Sequence, residues 1–167
     1  MSEVKFKGQP VSLSGNFPKI GSKAPAFELV GQNLSTSTLS SFENKNKILN
    51  IFISLDTPVC SKSMHAFNAK ASAISDVVIL NISMDLPFAA ARFCKAEHLE
   101  NVITLSAFRS TFSEDYGVKI AKGALQGLLA RAVLVLGKDN TILHSELVSE
   151  ITEEPNYEAA LNSLKKS

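Results

Sequence analysis

Two of the 167 residues are cysteines, and the first, Cys60, closes the stretch Thr57-Pro58-Val59-Cys60. Thr57 suits a helix N-cap, and Pro58 suits the first helical position because its missing N–H would have no intrahelical partner there. Cys60 then falls in the first turn. A thiol at that place meets unpaired backbone N–H groups and the positive end of the helix dipole, both of which favour thiolate, the nucleophilic form of sulfur. The Thr57 hydroxyl, donor and acceptor at once, can accept a capping N–H and aim its own hydrogen at the sulfur or at a bound substrate. A cysteine in a helix can equally be a small apolar filler. The Thr-Pro-x-Cys order at a helix start argues against that here.

The elements around this stretch must hold it in place. Ile48–Leu55, apolar and bounded by Asn44-Lys45-Asn46-Lys47, reads as a strand buried on both faces. Ser61–Ile74 sets Met64, Phe67, Ala71 and Ile74 at helical spacing, a core-facing stripe behind Cys60. Val77–Ile82 and Val102–Leu105 are further buried strands, separated by an expected helix over Asp85–His98 that opens on an acidic cap candidate and Pro87. Before the organising strand, Val4–Leu13 alternates on both sides of Gly8-Gln9-Pro10 and predicts a β-hairpin. A short strand at Phe27–Val30 and a one-turn helix at Leu39–Phe42 follow it. After Leu105 come a short helix over Phe108–Tyr116, ending at Gly117, and a hairpin, Leu128–Leu136 and Thr141–Leu143, around the turn Gly137–Asn140. A last helix is expected from Ile151-Thr-Glu-Glu-Pro155, with Lys165-Lys166 at its dipole-complementing end. Strands alternating with helices, then a hairpin and a closing helix, describe an α/β thioredoxin-like sandwich with a central mixed sheet and an N-terminal β-hairpin. No linker, repeat or low-complexity segment divides the chain, so one domain over residues 1–167 is expected.

Hydrophobic content of 45%, charged content of 20% and a net charge of +1 are those of an ordinary globular protein. No basic stripe or tail calls for nucleic acid or an anionic membrane. The apolar runs are too short to cross a bilayer, and Met1–Gly8 contains no apolar segment of signal-peptide length. A cytoplasmic location follows as an expectation, and there two cysteines more often mean redox chemistry or catalysis than a structural bridge.

Thr57-Pro-Val-Cys60 after an apolar strand resembles the active-site loop of the peroxiredoxins, in particular their bacterial thiol peroxidase branch. The resemblance extends over nearly the whole chain. It covers Lys5–Val11, Gly21-Ser-Lys-Ala-Pro25 with Phe27, Asn50–Cys60, Asp85-Leu-Pro-Phe-Ala89 with Arg92-Phe-Cys94, Asn101–Ser106, Tyr116-Gly-Val118, Gly127–Val133, and Glu154-Pro155 with Tyr157–Leu161. One departure stands out: the family pattern P-x-x-x-T-x-x-C places a proline where this chain has Ile53, which is apolar and can still shield the sulfur.

The resemblance implies a peroxidase in which the Cys60 thiolate attacks a hydroperoxide and becomes a sulfenic acid. Cys94 then resolves it to an intramolecular disulfide, and thioredoxin restores both thiols. Because a disulfide needs Cα atoms within about 7 Å and both cysteines fall in expected helices, its formation would require local unwinding. Arg131, at the head of Ala132–Leu136, falls at the family's essential arginine; taken alone it could equally be a strand-end arginine reaching solvent. Near Cys60 its fixed charge would lower the thiol pKa and donate to the peroxide oxygens. Arg92 and Arg109 are the substitutes. The resemblance further implies a homodimer and no metal, haem or flavin. The alternatives left open are a non-catalytic redox-sensing or binding module on the same fold, a disulfide oxidoreductase, and a cysteine hydrolase using His65, His98 or His144. The oxidoreductase would usually carry C-x-x-C, and this chain has Thr57 in place of the first cysteine. Cys94 and His98 could supply half of a zinc site, but no second ligand pair is spaced to complete it.

Overall fold

A computed structural model describes residues 2–71, 74–99 and 102–165. Seven strands form the main sheet in the order β10-β9-β5-β6-β7-β3-β4, where β3 is Leu29–Val30, β4 Thr36–Ser37, β5 Asn46–Ile51, β6 Val77–Ser83, β7 Ile103–Ser106, β9 Ala132–Leu136 and β10 Ile142–Leu147. At its centre β5 runs parallel to β6, and β6 to β7, while β9 pairs antiparallel with β5, so the sheet is mixed as expected. Parallel neighbours need crossovers, and helices α1 (Pro58–Ala71) and α2 (Pro87–Ala96) provide them.

Alternation along β5 explains why both sheet faces are covered. Leu49 and Ile51 enter a cluster with Phe27, Phe112 and Tyr116, in which the last two rings stack with centroids 4.2 Å apart. Ile48 faces the other way, onto Phe67 and Ala71 of α1 and onto Ala160 and Leu164 of α4 (Tyr157–Lys165). A third cluster, at the sheet end where β5 runs into α1, contains Cys60, Met64, Ala90, Cys94 and Ile53. Both sulfurs therefore share one apolar environment. The residues between α2 and β10 include the short helix α3 (Phe112–Asp115) and strand β8 (Lys119–Ile120).

The N-terminal hairpin is present as β1 (Glu3–Phe6) and β2 (Gln9–Ser14), with β8 completing a small second sheet. Its turn lies at Lys7-Gly8 rather than over Gly8–Pro10. Both turn residues have positive φ, 51° and 81°, the handedness a two-residue hairpin turn requires, and Pro10 sits inside β2 opposite Lys5.

Further boundaries differ from expectation: the strand read from Leu128 begins at Ala132, and the helix read over Phe108–Tyr116 is confined to Phe112–Asp115. The organising strand is Asn46–Ile51, so Lys47 is a strand residue, fully buried with its ammonium donating to Asn140 Oδ1 at 2.7 Å. Burial pushes its pKa down. Phe52–Leu55, read as strand, is the loop that carries the chain to α1. The last helix begins at Tyr157, not Ile151: Pro155 disfavours helical backbone in the residue before it, and Asn156 caps the helix by accepting the Ala159 N–H at 3.0 Å. Asn101, Lys166 and positions 72 and 73 of the Ser61–Ile74 helix lie outside the described residues.

Candidate active site

The loop between β5 and α1 is fixed by a residue read as a helix cap. Asp85 does not cap α2; Leu86 occupies that position. The Asp85 carboxylate instead accepts the Ser54 hydroxyl, the Leu55 N–H and the Ser83 hydroxyl, each at 2.8 Å. It thus ties the loop before Cys60 to the end of β6 and the start of the helix bearing Cys94. No local pattern could reveal the tie to the loop, because Ser54 and Leu55 lie 31 and 30 positions upstream.

Thr57 stands directly before α1, and its carbonyl accepts the Ser61 N–H at 3.1 Å. Its hydroxyl does not aim its hydrogen at the sulfur; it donates to the Ser54 carbonyl at 2.8 Å. With that hydrogen committed to the loop, the oxygen faces further chemistry as an acceptor.

Cys60 is completely buried in the first turn of α1 and is a reduced thiol. Arg131 reaches it from just before β9: Nη2 donates to Cys60 Sγ at 3.0 Å and Nε donates to the Ile151 carbonyl at 2.8 Å. The guanidinium is itself 1% exposed. A charge held this far from water acts on the sulfur with little screening. Its Nη1 is buried with no hydrogen-bond partner among the described residues, an unspent donor on the group that touches the sulfur. The other two arginines lie elsewhere: Arg92 is exposed on α2, and Arg109 is exposed beside the Phe108 ring.

Below Cys60 the sheet carries a polar network inside what reads as an apolar strand. Asn50 Nδ2 donates to Asn81 Oδ1 at 3.0 Å and to Ser63 Oγ at 3.3 Å, and Ser63 in turn donates to the Cys60 carbonyl at 2.9 Å. A short polar side chain in a central strand was the available signal. Ile53 is 7% exposed and packs in the cluster that holds Cys60, so its side chain shields the sulfur where proline is usual.

Cys94 is also a reduced thiol, 5% exposed in the last half of α2. Its polar neighbour is Gln32, whose amide donates to the sulfur at 3.5 Å and to Thr104 Oγ1 at 2.8 Å. Burial pushes the Cys94 thiol pKa up, and the Gln32 hydrogen bond opposes this. Cys94, Gln32, Lys95 and His98 line a cavity of about 470 Å³. Among the described residues no group of three His, Cys, Asp or Glu side chains is gathered to hold a metal ion. His65 and His98 are exposed, and His144 is half-buried on β10. Among the described residues no helix is long and apolar enough to cross a membrane.

The chain matches the Redoxin family model over residues 19–161. It is 49% identical to the thiol peroxidases of Mycobacterium tuberculosis (strain ATCC 25618 / H37Rv) and Mycobacterium bovis over 164 residues, 98% of this chain and 99% of each relative. A peroxiredoxin-like protein from Aquifex aeolicus, 39% identical, superposes with a TM-score of 0.93 over 99% of this chain and 97% of its own. A thiol peroxidase from Chromobacterium violaceum has the same fold at 22% identity, with a TM-score of 0.92 over 99% of this chain and 97% of its own. With a family match across most of its length and close kin along all of it, this chain belongs to the redoxin family, and its thioredoxin-like sandwich is that of the peroxiredoxins.

Proposed function

We propose that the chain is a thiol-dependent peroxidase that reduces hydrogen peroxide and organic hydroperoxides through Cys60, with Cys94 resolving and thioredoxin as reductant. The observation that carries this reading is the Arg131 guanidinium 3.0 Å from a fully buried Cys60 sulfur at a helix start. The Cys60 sulfur, as thiolate, attacks the terminal oxygen of the peroxide with the guanidinium beside it. An S–O bond forms as the O–O bond breaks, leaving Cys60 as sulfenic acid and an alkoxide or hydroxide that takes a proton from the medium. Arg131 faces the charge that grows on the departing oxygen, the place where a preformed donor speeds a reaction most. Thr57, its own hydrogen tied to Ser54, accepts from the hydroxyl of the incoming peroxide.

In the second step the Cys94 thiolate attacks the sulfenic sulfur, the S–S bond forms, and hydroxide leaves to become water. Since Cys60 and Cys94 sit in helices α1 and α2, this step needs local unwinding of one or both. Thioredoxin, a dithiol, then exchanges with the disulfide and returns both thiols. A homodimer in the cytoplasm completes the reading. Leu86 and Phe88 at the start of α2, 49% and 67% exposed, and Phe108 beyond β7, 39% exposed, offer apolar surface for a second copy.

The test is an intact-mass and free-thiol count before and after one equivalent of hydroperoxide, followed by a thioredoxin system. Loss of both thiols within a monomer, reversed by thioredoxin, is the expected result. Survival of both thiols would reject the peroxidase reading. Slow stoichiometric oxidation without turnover would favour a redox-sensing module instead.

A further inference from the structure

The N-terminal hairpin has no part in the chemistry above, yet its contacts end at the arginine that does. Lys5 N–H donates to the Ser149 carbonyl at 2.7 Å, and the Ile151 N–H donates back to the Lys5 carbonyl at 2.8 Å, so β1 is docked along residues 149–151. One side chain closes the junction. Glu150 Oε1 accepts the Gly8 N–H at 2.8 Å, and Oε2 accepts the Lys7 N–H at 3.2 Å and the Thr152 N–H at 3.1 Å. The first two come from the hairpin turn. The third belongs to the Ile151–Thr152 peptide, and that peptide's carbonyl is the acceptor for Arg131 Nε at 2.8 Å.

A peptide group is planar, with its N–H and C=O pointing opposite ways. Fixing the Thr152 N–H therefore fixes the direction of the Ile151 C=O. The guanidinium is a rigid fork, so the carbonyl that holds Nε sets where Nη2 meets the sulfur. An ionised carboxylate on the N–H also polarises the carbonyl at the far end of the same amide, which strengthens its bond to Arg131.

We propose that Glu150 is a positioning residue for the peroxidase reaction: by clamping the hairpin turn and the Ile151–Thr152 peptide together, it orients Arg131 toward Cys60. The inference rests on the reading that Arg131 acts on the Cys60 sulfur. It gives the hairpin a catalytic consequence, because the turn supplies two of the three donors that hold the carboxylate in place. The same hydrogen bonds, from Gly8 first and then Thr152, hold the Glu150 pKa below the usual glutamate value, so the clamp is charged at neutral pH.

The test is a double-mutant cycle between Glu150→Gln and Arg131→Ala, reading the second-order rate of Cys60 oxidation by tert-butyl hydroperoxide and of its alkylation by iodoacetamide. Glutamine keeps the shape but has a single acceptor oxygen for the three N–H groups. In the wild-type background Glu150→Gln should slow both reactions, by about tenfold for oxidation, with thermal unfolding retained as one cooperative transition. In the Arg131→Ala background it should add nothing. If Glu150→Gln folds poorly, Glu150→Asp, which keeps the charge but shortens its reach, runs the same cycle. Equal losses in both backgrounds, or no loss in the wild-type background, would overturn the proposal while leaving Arg131 in place. If Arg131→Ala itself left both rates unchanged, the reading of Arg131 would fail first.

Discussion

The two thiols lie in one apolar cluster and are almost equally buried, but their surroundings differ in charge. Cys60 sits in the first turn of its helix with a guanidinium against it. Cys94 sits late in its helix, near the negative end of the dipole, and its sulfur receives an uncharged amide. At Cys94 burial, which favours the neutral thiol, outweighs the amide; at Cys60 the group facing the sulfur is a fixed positive charge. One sulfur faces a guanidinium, and the other is kept beside an uncharged amide until its helix opens. A single fixed charge is enough to distinguish two thiols that share one apolar cluster.

The largest expected effects test that contrast at its stronger end. Cys60→Ser should reduce peroxide consumption to the uncatalysed background, since serine offers no comparable nucleophile at neutral pH. Arg131→Ala should slow Cys60 oxidation by roughly hundredfold or more, the usual cost of removing one preformed donor from developing negative charge. Stopped-flow mixing with hydroperoxide measures both. A rate for Arg131→Ala within a few-fold of wild type would mean that the charge does not set the contrast.

Cys94→Ser separates the sites. The first oxidation should stay within about twofold of wild type, while the intramolecular disulfide and turnover with thioredoxin disappear. Rapid thioredoxin-dependent turnover in that variant would remove Cys94 from the cycle. Next in size is Asp85, which ties the loop of one thiol to the helix of the other. Asp85→Ala strips one N–H and two hydroxyls of a charged acceptor, so urea unfolding should show a loss of about 2–3 kcal/mol. A loss below about 0.5 kcal/mol would indicate that those groups find water instead.

Much of this was legible in the chain itself. Thr57-Pro58 before Cys60 announced the helix start, and the Ile48–Leu55 run announced the central strand, because capping and burial are local in sequence. Arg131 was reached through resemblance; its strand pattern fits a solvent-facing arginine equally well. The residues missed are those whose partners lie far along the chain. Asp85 carries a cap-like signal that Ser54 and Leu55 claim for the loop. Lys47 has the pattern of a boundary charge and is buried with Asn140, in the β9–β10 turn, receiving its ammonium. Glu150 and Gln32 carry no signal at all, since an isolated Glu or Gln fits a solvated surface as well as it fits a network. Thr57 stands before α1, but its hydroxyl hydrogen goes to the Ser54 carbonyl and not to the sulfur. A hydroxyl's direction depends on which carbonyl lies nearest, and the Ser54 carbonyl is set by a tertiary contact.

The smallest expected effect probes the weaker end of the contrast. Gln32→Leu removes the N–H donor from the Cys94 sulfur at nearly constant volume. A donor on sulfur favours thiolate and burial favours thiol, so removing the donor leaves burial unopposed and the Cys94 midpoint should move further up. In the Cys60→Ser background iodoacetamide reports on Cys94 alone, and its rate against pH has two independent features. The plateau at high pH reports how often α2 opens to admit the reagent. The midpoint reports the charge balance at the sulfur. A raised midpoint with an unchanged plateau would assign Gln32 an electrostatic role. A raised plateau with an unmoved midpoint would make it a latch on the helix, and the uncharged amide would then have no part in setting the two thiols apart.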